Sequence, residues 1–340
     1  MKIAVDAMGG DHGPAVVVEG AVVAQQEFGV SVILVGDQAV IEQGLDRLGG
    51  RRASVEIRHA SQVVGMAESP SQALRRKRDS SLRVAAELVR DGHASAFVSA
   101  GNTGAAMAIA MFTIGVLRGV DRPAIAAVLP NLKRYMVLLD AGANVNPKPW
   151  HLFQFAVMGH VYARDMLGIE RPRVGLLSVG EEEGKGNDLT REAYDELRES
   201  SLNFIGNVEG RDIYNGSCDV VVTDGFTGNV SLKISESLAD MLGAMIKEEL
   251  GRDLRSRVGA ALALPAFLRV RKRVDYTELG GAPLLGIDGA AVISHGSSPP
   301  KAIKNAVRVA AEWAKAGLNE HIKAALEAEL MRSQREGGRE

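Results

Sequence analysis

Residues 220–229 read VVVTDGFTGN. Three β-branched residues in a row make a short buried strand, and the Thr-Asp-Gly that follows stops it. Thr227, Gly228 and Asn229 then fall on the first turn of a long helix that continues through Leu238 to Leu250. A strand that passes through a tight polar turn straight into a helix is the unit of a parallel α/β sheet. The same succession recurs along the chain. AGNTGA (100–105), DAGAN (140–144), GEEEGKGND (180–188) and SHGSS (294–298) each stand where an apolar run stops. Ligands of open α/β sheets sit outside the carboxyl ends of the strands, so these loops are expected to build one composite site. Glycine lets backbone approach a ligand closely, and Asn, Ser and Lys donate hydrogen bonds without adding negative charge. An anion is the expected occupant.

Outward from these loops, strands are expected at 2–6, 32–35, 96–99, 136–139, 174–178 and 220–223, and helices at 16–28, 82–90, 152–167 and 189–199. Residues 123–129 and 135–139, joined by PNLKR, read as an antiparallel hairpin, which makes the sheet mixed. Ile303, Ala306, Val307, Ala310 and Trp313 repeat at helical spacing toward Gly317, and a second helix begins near Asn319. The expectation is an α/β/α sandwich with a mixed, mostly parallel sheet. Residues 1–333 should form one two-lobed body, and 334–340 a disordered tail.

The 340 residues carry 40 basic and 42 acidic side chains, a net charge of −2 that gives no global field for gathering nucleic acid. The opening MKIAVDAMGG lacks the long apolar core of a signal peptide, and the lone Cys218 excludes an intramolecular disulfide. A reducing cytoplasmic setting is expected, with neither metal nor cofactor.

MGGDHG (8–13) follows the first strand, so Gly9 and Gly10 either cradle a phosphate at a helix N-terminus or only make a tight turn. The spacing is not GxGxxG. GEEEGKGND is not a Walker A loop either, because only three residues separate Gly180 from Gly184 and Gly186 stands where Ser or Thr would bind magnesium. Lys185 and Asn187 remain donors for a smaller anion or an oxyanion, against the alternative of a solvated loop. Asp224 is a ligand group or a helix cap. His295, with Ser297 and Ser298 at a helix entrance, is structural or catalytic. Residues 252–273 stand apart, with seven basic residues, one acid, and VGAALALPAFL between them. Eleven apolar residues broken by Pro265 cannot span a bilayer. Residues 260–268 are expected at the tip of a hairpin that touches an anionic membrane through Leu262, Leu264, Phe267, Arg269 and Arg271, or that forms a dimer contact.

DAMGGDHGP, SAGNTGA, DAGANV, GEEEGKGN, TDGFTGNV and HGSS, in this order over residues 1–316, resemble the bacterial acyl-ACP:phosphate acyltransferases of phospholipid synthesis, the PlsX family. The resemblance implies a fold similar to isopropylmalate dehydrogenase and phosphotransacetylase, usually as a homodimer. It implies that acyl carrier protein (ACP) and inorganic phosphate are the partners, and that acyl phosphate passes to a membrane glycerol-3-phosphate acyltransferase. The enzyme would then be cytoplasmic and peripheral to the inner face of the cell membrane. Family members often carry cysteine directly before DGFTGN, where this chain has Thr223, so a covalent cysteine route is not expected. Phosphate is itself nucleophilic and a thiolate leaves readily, its thiol having a pKa near ~8.5. Positioning and oxyanion stabilisation are then the main demands. Lys185, His295 and Asn229 are the expected catalytic residues, with Gly9, Gly10, Asn102, Thr103, Asn144, Asn187, Asp224, Thr227, Gly228 and Ser297 binding phosphate and thioester. The rival readings are a phosphotransacetylase-like enzyme using acyl-CoA, a metal-dependent decarboxylating dehydrogenase, and a non-catalytic membrane scaffold.

Overall fold

A computed structural model describes residues 1–49 and 55–337. In chain order the elements are β1 (Lys2–Asp6), α1 (Pro14–Phe28), β2 (Ser31–Gly36), α2 (Gln38–Arg47), β3 (Glu56–His59), α3 (Pro70–Arg76), α4 (Ser81–Arg90), β4 (Ala96–Ser99) and α5 (Thr103–Thr113). The hairpin β5 (Ala124–Pro130) and β6 (Tyr135–Leu139) leads into α6 (Pro149–Leu167), β7 (Val174–Leu177), α7 (Asp188–Arg198), β8 (Phe204–Val208), α8 (Asp212–Asn215) and β9 (Val220–Val222). Two long helices, α9 (Gly225–Gly251) and α10 (Leu254–Val274), precede β10 (Ala282–Leu285), β11 (Ala291–Ile293), α11 (Pro300–Ala316) and α12 (Leu318–Gly337).

The strands form one sheet of eleven in the order β3-β2-β1-β4-β11-β10-β5-β6-β9-β7-β8. Alternation along each strand divides the core between the two faces. Ile3 and Val5 pack with α1, α6 and α11 on one side, while Ala4 packs with α4 and α5 on the other. The mixed α/β/α sandwich is thus present, with its antiparallel pairings confined to β11-β10-β5-β6. Those pairings reverse the sheet. β3, β2, β1, β4 and β11 run one way, β5 shares that direction, and β6, β9, β7 and β8 run the other way. The carboxyl ends of β1, β4 and β11 (the first edge) therefore point one way and those of β6, β9 and β7 (the second edge) the other. The two halves are staggered: Pro283 pairs with Val292 of β11 and by register stands level with Ala126, whose β6 partner is Leu139, so β11 and β6 end at nearly the same height in the sheet.

Two expectations are corrected. Residues 260–268 are not a hairpin tip, because α10 continues through Pro265 and the turn lies between α9 and α10, where Asp253 caps α10 by accepting from the Ser256 N–H at 2.8 Å. Proline removes one ladder hydrogen bond. No residue of α10 is buried, so water can satisfy the carbonyl left free. Residues 334–337, expected to be disordered, continue α12, and 338–340 lie outside the described residues.

Candidate functional site

At the first edge the loops after β1, β4 and β11 interlock. Asp6 is buried, and its Oδ2 accepts from the Ser99 hydroxyl at 2.7 Å, while Ser99 Oγ accepts from the Gly101 N–H at 3.0 Å. Burial pushes the Asp6 carboxyl up from its ordinary value, against the hydrogen bonds of Ser81, Ser99, Met8 and Gly9. Gly9 must be glycine, since a Cβ would stand 2.8 Å from Gly101 N and 2.9 Å from Asp6 Oδ2. Gly10 has φ +102°, and its neighbour Asp11 donates to the Gly296 carbonyl at 2.8 Å, tying the first loop to the last. Asn102 caps α5 through Ala105 N–H at 3.0 Å, and its amide donates to the carbonyls of Met66 and Glu68 at 2.8 and 2.9 Å. Thr103 is exposed on the first turn of α5.

The His295 ring is exposed, and its Nδ1 lies 3.3 Å from the Ser297 N–H and 2.7 Å from Ser297 Oγ. A backbone N–H can only donate, so Nδ1 accepts and the neutral ring carries its proton on Nε2. α1, α5 and α11 begin beside one another here, because β1, β4 and β11 are neighbours, and unpaired N-terminal N–H groups favour an anion.

At the second edge the organiser is Asp140. Its Oδ1 accepts from the N–H groups of Ile125, Gly142 and Ala143 at 3.0, 3.1 and 3.0 Å. Its Oδ2 accepts from Asn144 N–H at 2.6 Å and from the Asn144 side-chain amide at 3.0 Å. Burial raises its pKa, and these N–H donors oppose the rise. The Asn144 amide is buried and also donates to the Pro123 carbonyl at 2.8 Å. A Cβ on Gly228 would stand 1.9 Å from the Asp140 carbonyl oxygen, which fixes α9 against this loop. Asp224 caps α9, accepting from the N–H and hydroxyl of Thr227 at 2.9 and 2.7 Å. Asn229 donates to the Ala141 carbonyl at 3.2 Å, and Asn187 caps α7 through Thr190 N–H at 3.0 Å. Glu181 binds Arg211 and Glu183 binds Arg198, so two of the three loop glutamates face arginines. Lys185 is exposed, and among the described residues its ammonium has no hydrogen bond or ion pair.

The thirteen loop residues named from sequence thus divide between two edges, and no hydrogen bond or ion pair joins the two groups among the described residues. Gly9, Gly10, Asn102, Thr103, His295 and Ser297 belong to the first. Asn144, Lys185, Asn187, Asp224, Thr227, Gly228 and Asn229 belong to the second. Leu262, Leu264, Phe267, Arg269 and Arg271 are all exposed on α10. Cys218 is buried before the amino end of β9, away from the loop that follows that strand, and burial pushes its thiol up to about 11. Asp6, Ser99 and Asp140 were not named as site residues; the available signal was an acid or serine closing an apolar strand just before a glycine-rich turn. Among the described residues no cluster of His, Cys, Asp or Glu could hold a metal, and no helix is long and apolar enough to cross a membrane.

An α/β/α sandwich on a mixed sheet is also the fold of solved phosphotransacetylases. That from Streptococcus pyogenes superposes with a TM-score of 0.65 at 18% identity, over 93% of this chain and 94% of the other. The sequence narrows the class further: residues 1–321 match the family described as fatty acid synthesis protein, and the chain belongs to it. Within that family it is similar to the phosphate acyltransferase of Geotalea uraniireducens, 55% identical over 95% of this chain and 93% of the relative. The phosphate acyltransferase of Geobacter sulfurreducens is 53% identical over 97% and 95%.

Proposed function

We propose that this chain is a phosphate acyltransferase that moves a long-chain acyl group from ACP to inorganic phosphate, supplying acyl phosphate for phospholipid synthesis. The observation that carries the reading is its near full-length likeness to phosphate acyltransferases at more than half identity. A phosphate oxygen attacks the thioester carbonyl carbon, the carbon–sulfur bond breaks, and the thiolate takes a proton from solvent. No covalent enzyme intermediate is needed, and the buried neutral thiol of Cys218 is unsuited to forming one. Free N–H groups at the starts of α5 and α11, with Thr103 and Ser297, hold phosphate; His295 Nε2–H and Lys185 are the groups suited to an oxyanion.

A homodimer covers the apolar surface that α9 and α10 leave exposed, among it Ile234, Leu238, Met245 and Leu262. Peripheral contact of α10 with the cytoplasmic face of the membrane would bring the product to a glycerol-3-phosphate acyltransferase there. The deciding measurement is phosphate-dependent acyl phosphate formation, trapped with hydroxylamine, from long-chain acyl-ACP and from acyl-CoA. Product from the ACP thioester in preference is expected. Preference for CoA thioesters would move the chain to phosphotransacetylase-like chemistry, and no product from either would leave the scaffold reading.

A further inference from the structure

β5 runs in the same direction as β1, β4 and β11, and continues from Ala126, level with Val292 of β11, to Pro130, so the turn after β5 points the same way as the His295 loop and projects beyond it. In the sheet β5 stands two places from β11, a lateral distance of about 10 Å at the usual strand spacing. On that turn Leu132, Lys133 and Arg134 are all exposed. The last turn of α10 is pinned against it, since Arg273 donates to the carbonyls of Asn131 and Leu132 at 2.7 and 2.5 Å. Arg269, Lys272 and Arg273, spaced to share one helix face, line a shallow groove with Tyr135 and Glu278. Three cations therefore line the groove, with Arg134 exposed on the adjoining turn, and none of these four forms an ion pair among the described residues. The Lys133 stem lies beside Gly216, and its charge acts on Asp219. The neighbouring acids are engaged elsewhere: Asp275 and Glu278 both hold Lys301 at 2.8 Å, and Asp219 is paired with Arg173 at 2.9 Å.

We propose that this groove is the docking surface for an acidic face of the acyl carrier protein, an inference that rests on the acyl-ACP reading above. Uncompensated cations repel one another and persist where a partner of opposite charge neutralises them. Leu132, exposed on the adjoining turn, adds an apolar side chain beside these charges, and protein interfaces combine the two. Docking at this edge leaves the tethered thioester a short path to the loops after β4 and β11. The cations converge on a groove beside the body instead of spreading along α10, which favours a folded partner over a flat lipid surface.

The test compares the parent with Lys133→Glu/Arg134→Glu and, separately, Lys272→Glu. Carrier binding is read by fluorescence anisotropy of labelled acyl-ACP, and turnover is read independently. The expected result is an affinity loss and a KM rise for acyl-ACP on the order of tenfold at low ionic strength, shrinking in high salt, with kcat and the KM for phosphate unchanged. Unchanged acyl-ACP affinity overturns the surface while leaving the enzyme reading intact. Binding to vesicles containing phosphatidylglycerol that is lost while acyl-ACP affinity is kept assigns the groove to lipid and overturns it too, as does dissociation into monomers. A parent that binds carrier through this groove yet makes no acyl phosphate would overturn the reading of function and leave the surface standing.

Discussion

The two loop groups are built from the same parts and held together differently. Each has three loops at the carboxyl ends of neighbouring strands and three helices starting there, yet the sheet reversal between β11 and β6 points them in opposite directions. At the first edge much of the cohesion is contact between loops, through Asp11 to Gly296, Asp6 to Ser99 and Gly9 against Gly101. The His295 Nε2 and the Thr103 side chain remain available to a ligand. At the second edge one carboxylate, Asp140, gathers five donors, and Asn144, Asp224 and Asn229 use their side chains on neighbouring backbone. Lys185 is the main uncommitted group there. A polar residue in a motif is therefore not by itself a ligand group; what decides is whether the fold has already used its hydrogen bonds.

The largest expected effect tests whether the second edge takes part in the chemistry. Lys185→Ala should lower kcat/KM by roughly 10² to 10³ with the melting temperature unchanged, the loss typical of removing one donor to an oxyanion. The same assay on His295→Ala reports on the first edge. A Lys185→Ala rate within about twofold of the parent would confine the reaction to the first edge and make the second structural.

A smaller effect, on stability, tests Asp140 as the organiser. In Asp140→Asn, whichever way the amide turns, its NH2 must face N–H donors that now meet a carboxylate oxygen, three on Oδ1 and two on Oδ2. Leaving buried donors unpaired costs about 2 to 3 kcal/mol, read as a lower denaturation midpoint with an unchanged slope. An Asp140→Asn protein as stable as the parent would show that the close packing of Gly228 on the Asp140 carbonyl holds this loop without the carboxylate.

Local features were legible in the sequence and the long-range ones were not. The VVV run at 220–222, the apolar strand at 96–99 and the β5–β6 hairpin follow from residue type and spacing, and they are where the pattern put them. The reversal of strand direction between the two halves of the sheet was not legible, because it depends on β10, a four-residue strand containing Pro283, pairing antiparallel on both sides. Strand direction across a sheet is set by partners distant in sequence. Nor could the chain reveal that Asn144 is buried with its side-chain NH2 donating twice while Lys185 is free, since both stand in equally polar loops. Pro265 misled for a physical reason: its cost depends on whether the carbonyl it orphans meets water, and no residue of α10 is buried.

The smallest effect concerns Cys218, which lies in neither group. The thiol is buried, with Sγ 3.4 Å from the Asp212 carbonyl, and desolvation lifts it from 9.0 to about 11. Cys218→Ala should keep nearly all activity and lose on the order of 1 kcal/mol of stability, the cost of a small cavity. Native protein at pH 8 should resist iodoacetamide and become reactive only on unfolding, because the thiolate is the reactive form. The raised value also fixes the sign of a pH dependence. The unfolded chain releases this proton at lower pH than the folded one, so the stabilisation is complete below about 9 and is lost as pH rises toward about 11. The parent should therefore lose stability across that window relative to Cys218→Ala. Loss of turnover in a folded Cys218→Ala protein, together with a trapped acyl-enzyme in the parent, would replace direct phosphate attack with a covalent route and move the chemistry away from both edges.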